Sequence, residues 1–307
     1  MDTSDGLQEQ FGERVRDLRK KKGLSQEAFS FECSLDRTYV SQVEQGRRNI
    51  SLRNIKAMAD ALGISVAELF SAGTVPLGNM AAWEPSYRMN DDFSINRGFE
   101  VNADDVRLSA INVAKQLRLL PFSLYQSIDL KTLSSIVGAI FAGCLASEVG
   151  AIVNPIEKGH PDIIPSSGRS ATEAQLRNYP EGLEIKVTVG NVAKGSNLQP
   201  GTPRIAALTA ITWQAHHREV ESLLGLSIDF AGATHDGKRY PMITGAFFTD
   251  ELAVDDWGEI SGTTGRNTKV TGMRSSGKAK MGNGWVLLIE DDTYITKYSE
   301  LLNFAID

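Results

Sequence analysis

The sequence predicts an α+β/α/β chain in three parts: an all-α domain over 1–72, a linker or arm over 73–92, and a domain over 93–307 whose central mixed β-sheet is flanked by helices. Three observations predict it. Over 8–69 the apolar residues recur at helical spacing, punctuated by capping residues and glycines. Beyond residue 100, helical runs alternate with strand-like runs, the pattern of helices packed on a sheet. Within that half, Leu183-Glu184-Ile185-Lys186-Val187-Thr188-Val189 has apolar residues at every second position. A period-two strand buries those and turns Glu184 and Lys186 to one face.

The elements follow in order. A helix is expected over 8–22, with Phe11, Val15 and Leu18 on one face and Gly23 as its stop. Ser25 is placed to cap the next helix. Asp36 caps a third over 37–45, which Gly46 ends. Ile50, Leu52, Ile55, Ala59, Leu62, Ile64 and Leu69 carry the apolar stripe through two more. From 71 to 92, Gly73, Pro76, Gly78 and Pro85 interrupt any periodicity, which reads as the linker. Helices are expected over 104–120, broken by Pro121, and over 130–149. Strands are expected over 162–165, 183–189, 223–230, 242–248 and 285–290. Pro203, with Thr202 as cap, opens a helix to about 217, on which Trp213 packs against the sheet.

Composition limits the function classes. A chain of 307 residues with 41% hydrophobic content supports two cores. The formal net charge of −6 does not advertise a nucleic-acid binder, but a local patch can differ from the total. One such patch is 261–285, which holds Arg266, Lys269, Arg274, Lys278 and Lys280 and no acid. Its glycine, serine and threonine suggest a mobile hairpin or loop, set against a phosphate backbone or simply solvated. Cys33 and Cys144 offer neither a disulfide framework nor metal spacing. The N-terminus lacks a charged-plus-apolar leader, which favours a cytoplasmic setting in a bacterium or phage-like system. The apolar stretch 133–153 raises a membrane question, but Glu148 and many small residues make it a buried helix, with no membrane partner expected.

The string SQEAFSFECSLDRTYVSQVEQGRRNISLRNIKAMADALGISVAELF resembles the phage-repressor-like (XRE-type) helix-turn-helix family, over about the first quarter of the chain. The resemblance implies that the third helix enters the major groove of double-stranded DNA. Arg37, Thr38, Ser41 and Gln42 would then read base edges, while Gln26, Arg47 and Arg48 hold phosphates. Val40 and Val43 belong to the core. The other reading is a packing or dimerisation module that no longer binds DNA.

Upstream of Glu184 and Lys186 stand Pro161-Asp162 and, on a helix, Glu148. Two carboxylates and a lysine at one point can hold a hard divalent cation and activate a water against a phosphodiester. Acid-any-lysine also occurs at Asp129-Leu130-Lys131 and Asp236-Gly237-Lys238, but not within an alternating strand. The segment 148–189 resembles the PD-(D/E)xK nuclease superfamily. The resemblance implies that Asp162 and Glu184 ligate Mg2+, with Mn2+ as a substitute, and that the Ile185 carbonyl completes the protein side. Lys186 would polarise the attacking water and stabilise developing charge. Glu148 would reach the metal through water or hold a second ion, and the products would carry 5′-phosphate and 3′-hydroxyl ends. The alternative is an ordinary cross-strand charge pattern. His160 is either a partner of the metal carboxylate or a loop histidine. His216 and His217 point about 100 degrees apart on a helix, one toward substrate and the other structural.

The order of these motifs, followed by Trp213-Gln214-Ala215-His216-His217 and Leu223-Leu224-Gly225-Leu226, is similar to the ApaLI-type restriction endonucleases. That likeness implies a type II enzyme cutting a short palindrome as a homodimer, with a cognate DNA methyltransferase in the same system. The recognition site stays open. Two other classes remain: an XRE-family transcription regulator whose second domain senses a ligand or dimerises, and a repair or defence nuclease acting on modified or branched DNA.

Overall fold

The computed structural model describes residues 4–48, 50–64, 69, 84–156, 159–216, 218–232, 237–261 and 270–305, and divides into two compact units, 1–83 and 84–307. The first holds α1 (Ser4–Lys21), α2 (Gln26–Cys33), α3 (Arg37–Glu44) and α4 (Leu52–Leu62). The starts of α2, α3 and α4 have a chemical cause: Ser25 Oγ accepts from the Ala28 amide at 3.0 Å, Asp36 Oδ1 from Thr38 at 2.7 Å, and Ser51 Oγ from Asn54 at 3.3 Å. Phe11, Val15, Val40, Val43, Ala59 and Leu69 form one buried core, as the spacing predicts, and Phe29 and Met58 join it. Gly12 permits the close approach of α1 to α3, because a Cβ there would lie 2.2 Å from the Val43 carbonyl oxygen. The helix expected beyond residue 64 falls largely outside the described residues.

The linker expected over 73–92 needs correcting at its end. Residues 84–92 belong to the second unit, where Tyr87–Met89 forms β1; residues 70–83 lie outside the described ones. In chain order there follow β2 (Ser94–Asn96), β3 (Glu100–Asn102), α5 (Ala103–Leu119), α6 (Phe122–Ser127), α7 (Leu130–Glu148), β4 (Ile152–Val153), β5 (Ile163–Ile164) and α8 (Glu173–Leu176). Then come β6 (Ile185–Thr188), β7 (Asn191–Val192), β8 (Leu208–Ala210), β9 (Gln214–Ala215), β10 (Leu223–Phe230) and β11 (Pro241–Thr249). The unit closes with β12 (Thr271–Gly272), α9 (Ser275–Asn283), β13 (Trp285–Ile289) and α10 (Asp292–Leu302).

The sheet runs β1-β13-β11-β10-β6, antiparallel throughout except that β6 lies parallel to β10. An antiparallel bridge between Ile163 and Leu183 extends it to β5, which pairs with β4. It is the mixed sheet the sequence predicts. One face packs on α5 and α7 through Val113, Leu117, Val137, Phe141 and Leu145 against Leu224, Leu226, Ile243 and Phe248. Strand alternation turns Phe247 to the other face, where its ring meets Trp213, Tyr298 and Phe304. Helix α7 is long and apolar enough to cross a membrane, yet its Leu133–Val137–Phe141–Leu145 stripe lies in this core.

Two expected elements are wrong. Among the described residues no α-helix runs over 203–216. The Asp229 carboxylate takes the Arg204 and Ile205 amides at 2.7–3.1 Å, as an N-cap does, but only a short 3-10 turn over Ile205–Ala207 follows. The β-branched Thr209, Ile211 and Thr212 then continue extended. Trp213 therefore reaches the core from a connection, its Nε1 donating to Leu226 O at 3.1 Å, and Gly225 leaves room for its indole. Nor is 261–285 a single loop, since it contains β12 and the nine-residue α9. Gly277 and Gly282 hide that helix from a propensity argument. They are there for contact: a Cβ at Gly277 would lie 2.8 Å from Met273, and one at Gly282 2.8 Å from the Leu302 carbonyl.

Candidate functional site

In the first unit, Asp36 fixes the start of α3, and Val40, Val43 and Glu44 turn inward. Arg37, Thr38, Ser41 and Gln42 therefore share the outward face, the first two exposed. Gln42 Oε1 accepts from Arg48 at 3.4 Å, and the Arg48 guanidinium lies 5.2 Å from the centre of the Tyr39 ring. Arg47 is exposed beside it. Tyr39 belongs to this surface although no spacing signal singled it out. Gln26 is less free than expected, because its amide donates to Glu44 at 2.8 Å. Glu44 is buried and holds Arg19 through two hydrogen bonds of 2.5 and 2.9 Å. That pair ties α1 to the end of α3 and so orients the outward face.

In the second unit the structure brings together His160, Asp162, Glu184 and Lys186. Leu183 exchanges both backbone hydrogen bonds with Ile163, which sets Asp162 beside the start of β6. Asp162 Oδ2 accepts from the Ile185 amide at 2.7 Å. Glu184 pairs with Lys186 and, at 3.2 Å, with His160 Nδ1. The side chains of Glu184 and Lys186 are only 12% and 23% exposed, unlike a solvated strand face. Asn154, which carried no sequence signal, anchors the approach: its amide nitrogen donates to Pro161 O at 3.2 Å and Leu176 O at 2.8 Å.

Burial and the neighbouring Glu184 charge push the Asp162 carboxyl above its ordinary range. Burial acts on Glu184 in the same sense, but the His160 hydrogen bond and the Lys186 charge outweigh it and hold that carboxyl low. His160 is raised, chiefly by its hydrogen bond to Glu184. The signs define a pH window. The histidine's contribution to stability is complete below its ordinary value of about 6.5 and is lost as pH rises through its higher folded value. Glu184 contributes above the ordinary carboxylate range and loses this as pH falls. In an NMR titration we expect a His160 midpoint above that of free histidine, and a fall in Glu184→Gln; an unchanged midpoint in the variant would contradict the pairing.

The donor set suits a hard cation. Glu184 O is used by the Leu224 amide, so strand alternation turns the Ile185 carbonyl to the opposite edge, the side of Asp162. Two carboxylates and one carbonyl meet the usual protein share of a magnesium site, whose other positions water fills. Among the described residues no group of three or more His, Cys, Asp and Glu is placed to hold a metal together.

The other sequence candidates fall elsewhere. Glu148 is exposed on the last turn of α7 and lines an open groove with Asn112, Gln116 and Cys144; it makes no described hydrogen bond or ion pair with Asp162, Glu184 or Lys186. Lys280 is taken by Asp256 and the Glu251 carbonyl, both at 2.8 Å, so it fastens α9 and is not a free phosphate contact. Arg274 lies 3.9 Å from Glu259. Burial holds Lys278 below its ordinary value. His216 is exposed after β9, in a strand connection and not on a helix. Arg266, Lys269 and His217 lie outside the described residues.

The fold and outward face of the first unit define a helix-turn-helix DNA-binding domain. The family model described as helix-turn-helix matches residues 15–69. Control protein C.MunI of Mycoplasma sp is 50% identical over 62 residues, 20% of this chain and 84% of that protein. Control protein C.BamHI of Bacillus amyloliquefaciens is 46% identical over 66 residues, 21% of this chain and 82% of that protein. The solved restriction-modification controller protein C.AhdI from Aeromonas hydrophila is 53% identical, covering 20% of this chain and 94% of its own, with a TM-score of 0.20. Through its first unit the chain belongs to the helix-turn-helix family of these restriction-modification control proteins.

Proposed function

We propose that the chain is a Mg2+-dependent endonuclease of a restriction-modification system, cutting double-stranded DNA to 5′-phosphate and 3′-hydroxyl ends, with a control-protein-like domain as a second DNA-binding module. The observation that carries this is the juxtaposition, at a sheet edge, of largely buried Asp162, Glu184 and Lys186 joined through the Ile185 amide. Asp162, Glu184 and the Ile185 carbonyl would hold Mg2+, or Mn2+ in its place, and the bound ion would supply Lewis-acid activation of water and phosphodiester. Lys186 is set to hydrogen-bond a water and to face charge developing on phosphorus. His160 steadies Glu184. A type II enzyme of this kind acts as a homodimer on a palindrome, beside a protecting methyltransferase. DNA as partner places it inside the bacterial cell.

A second reading, transcription regulation, is favoured by the identity of the first unit to control proteins. Both readings use α3. Alanine at Gln42 is expected to relax base choice at one position, at about 1–3 kcal/mol. Alanine at Arg48 should weaken all sequences alike and flatten the salt slope by about 1. Gel retardation over a salt series checks this; full retention of binding by both variants would remove α3 as the reading helix. Incubation with unmodified plasmids and Mg2+ separates the two functions, since a regulator retards DNA and leaves it uncut.

A further inference from the structure

From Ile185 to Arg218 the chain contains no Asp or Glu, although it has 38 acids in 307 residues. Glu184 and Glu219 bound the run, and Lys186, Lys194, Arg204 and Arg218 lie within it. It begins on β6, the strand of the candidate metal centre, and leaves the sheet at once as the β7–β8 hairpin, in which Asn191 pairs with Ala210 and Val192 with Leu208. Beyond that pairing, Lys194, Ser196, Asn197 and Gln199 are all exposed. Their only described side-chain bond to one another is weak, Gln199 to Asn197 at 3.4 Å.

The base of the hairpin is fixed. Arg204 donates to Val189 O and Gly190 O at 3.2 Å each, and its own amide is held by the buried Asp229, which also takes the Tyr294 hydroxyl at 2.8 Å. A rigid stem thus carries a tip of donors and amides with no acid to repel phosphate. We propose that this hairpin is the second unit's DNA-contacting arm, with Lys194 on a phosphate and Asn197 and Gln199 offered to the groove beside the scissile bond. The assignment rests on the nuclease reading for its purpose, but DNA contact by the arm is separately measurable. A run free of acids is the electrostatic arrangement that favours duplex binding, and amide side chains are suited to adenine edges.

The test uses the full chain with α3 silenced by Arg37→Ala and Gln42→Ala, with and without Lys194→Ala. Binding to mixed-sequence 30-base-pair duplexes (~30, long enough for a dimer's contacts) is measured across a salt series in Ca2+. The arm predicts residual binding that Lys194→Ala weakens severalfold, with a salt slope less steep by about 0.9. Equal affinity and slope in both proteins, or no binding by the α3-silenced parent, overturns it. Plasmid cleavage in Mg2+ by the unmodified chain is scored in parallel. A Lys194-dependent slope without cleavage keeps the arm and removes the nuclease; cleavage with no Lys194 dependence does the reverse.

Discussion

Alanine at Asp162 or at Lys186 is expected to abolish Mg2+-dependent DNA cleavage, and the two losses should differ in kind. Asp162 would ligate the ion, so its removal takes away several kcal/mol of charge stabilisation, about a thousandfold or more in rate. The metal concentration for half-maximal activity should rise as well. Lys186 stands beside Glu184, and its loss removes a donor to developing charge, roughly 10²–10³-fold in rate, at nearly unchanged metal requirement. Single-turnover cleavage over a Mn2+ series resolves both quantities. Cleavage at the parent rate by Asp162→Ala would contradict the proposed site.

Glu44→Ala should be the most destabilising single change in the first unit. It leaves the Arg19 side chain, 8% exposed, with its charge buried and its main partner gone. Removing one member of a buried pair costs about 3–5 kcal/mol, a large part of a small domain's stability. Gln26 loses its anchor in the same step. By contrast, Lys56→Ala breaks only the exposed pair with Asp60, 65% and 60% exposed, and should cost less than about 0.5 kcal/mol. Amide exchange of α1 and α3 in the full chain reports on this unit without interference from the second. Comparable small losses in both variants would show that the Arg19–Glu44 pair does not hold the domain.

The first unit was legible because its information is local. Ser25, Asp36 and Ser51 stand at helix starts, Gly23 and Gly46 at ends, and the apolar spacing between them matches the buried set. The long strands Leu223–Phe230 and Pro241–Thr249 were also plain, being mostly apolar runs buried on both faces. Elements created by tertiary contact were not. The helix expected after Pro203 is a single 3-10 turn, its first amides held by Asp229, a residue 25 positions away from Arg204. The three-residue β1 has no periodicity to read, and α9 is built around glycines. Helix α10 was not expected although it carried a signal, Asp291 as cap with Tyr294, Tyr298 and Leu302 at helical spacing.

The candidate site divides the same way. Alternation placed Glu184 and Lys186 on one face, and the Pro161-Asp162 pair does reach them through the Ile163–Leu183 bridge. Glu148 was chosen for its charge and its helix, yet a residue on the final turn of α7 points where the local twist puts it, into the groove with Asn112 and Gln116. Asn154 could not be found from sequence, since its role depends on carbonyls contributed by Pro161 and Leu176. The crossover between β6 and β10 holds a β-hairpin where Pro203, with Thr202 as cap, led us to expect a helix.

The most direct test of the central claim is incubation of the full-length protein with several unmodified plasmids in Mg2+, beside Asp162→Ala. The account predicts discrete fragments from the unaltered chain, with 5′-phosphate ends, and intact DNA from the variant. DNA left intact but retarded by both proteins would contradict the nuclease and leave a helix-turn-helix regulator.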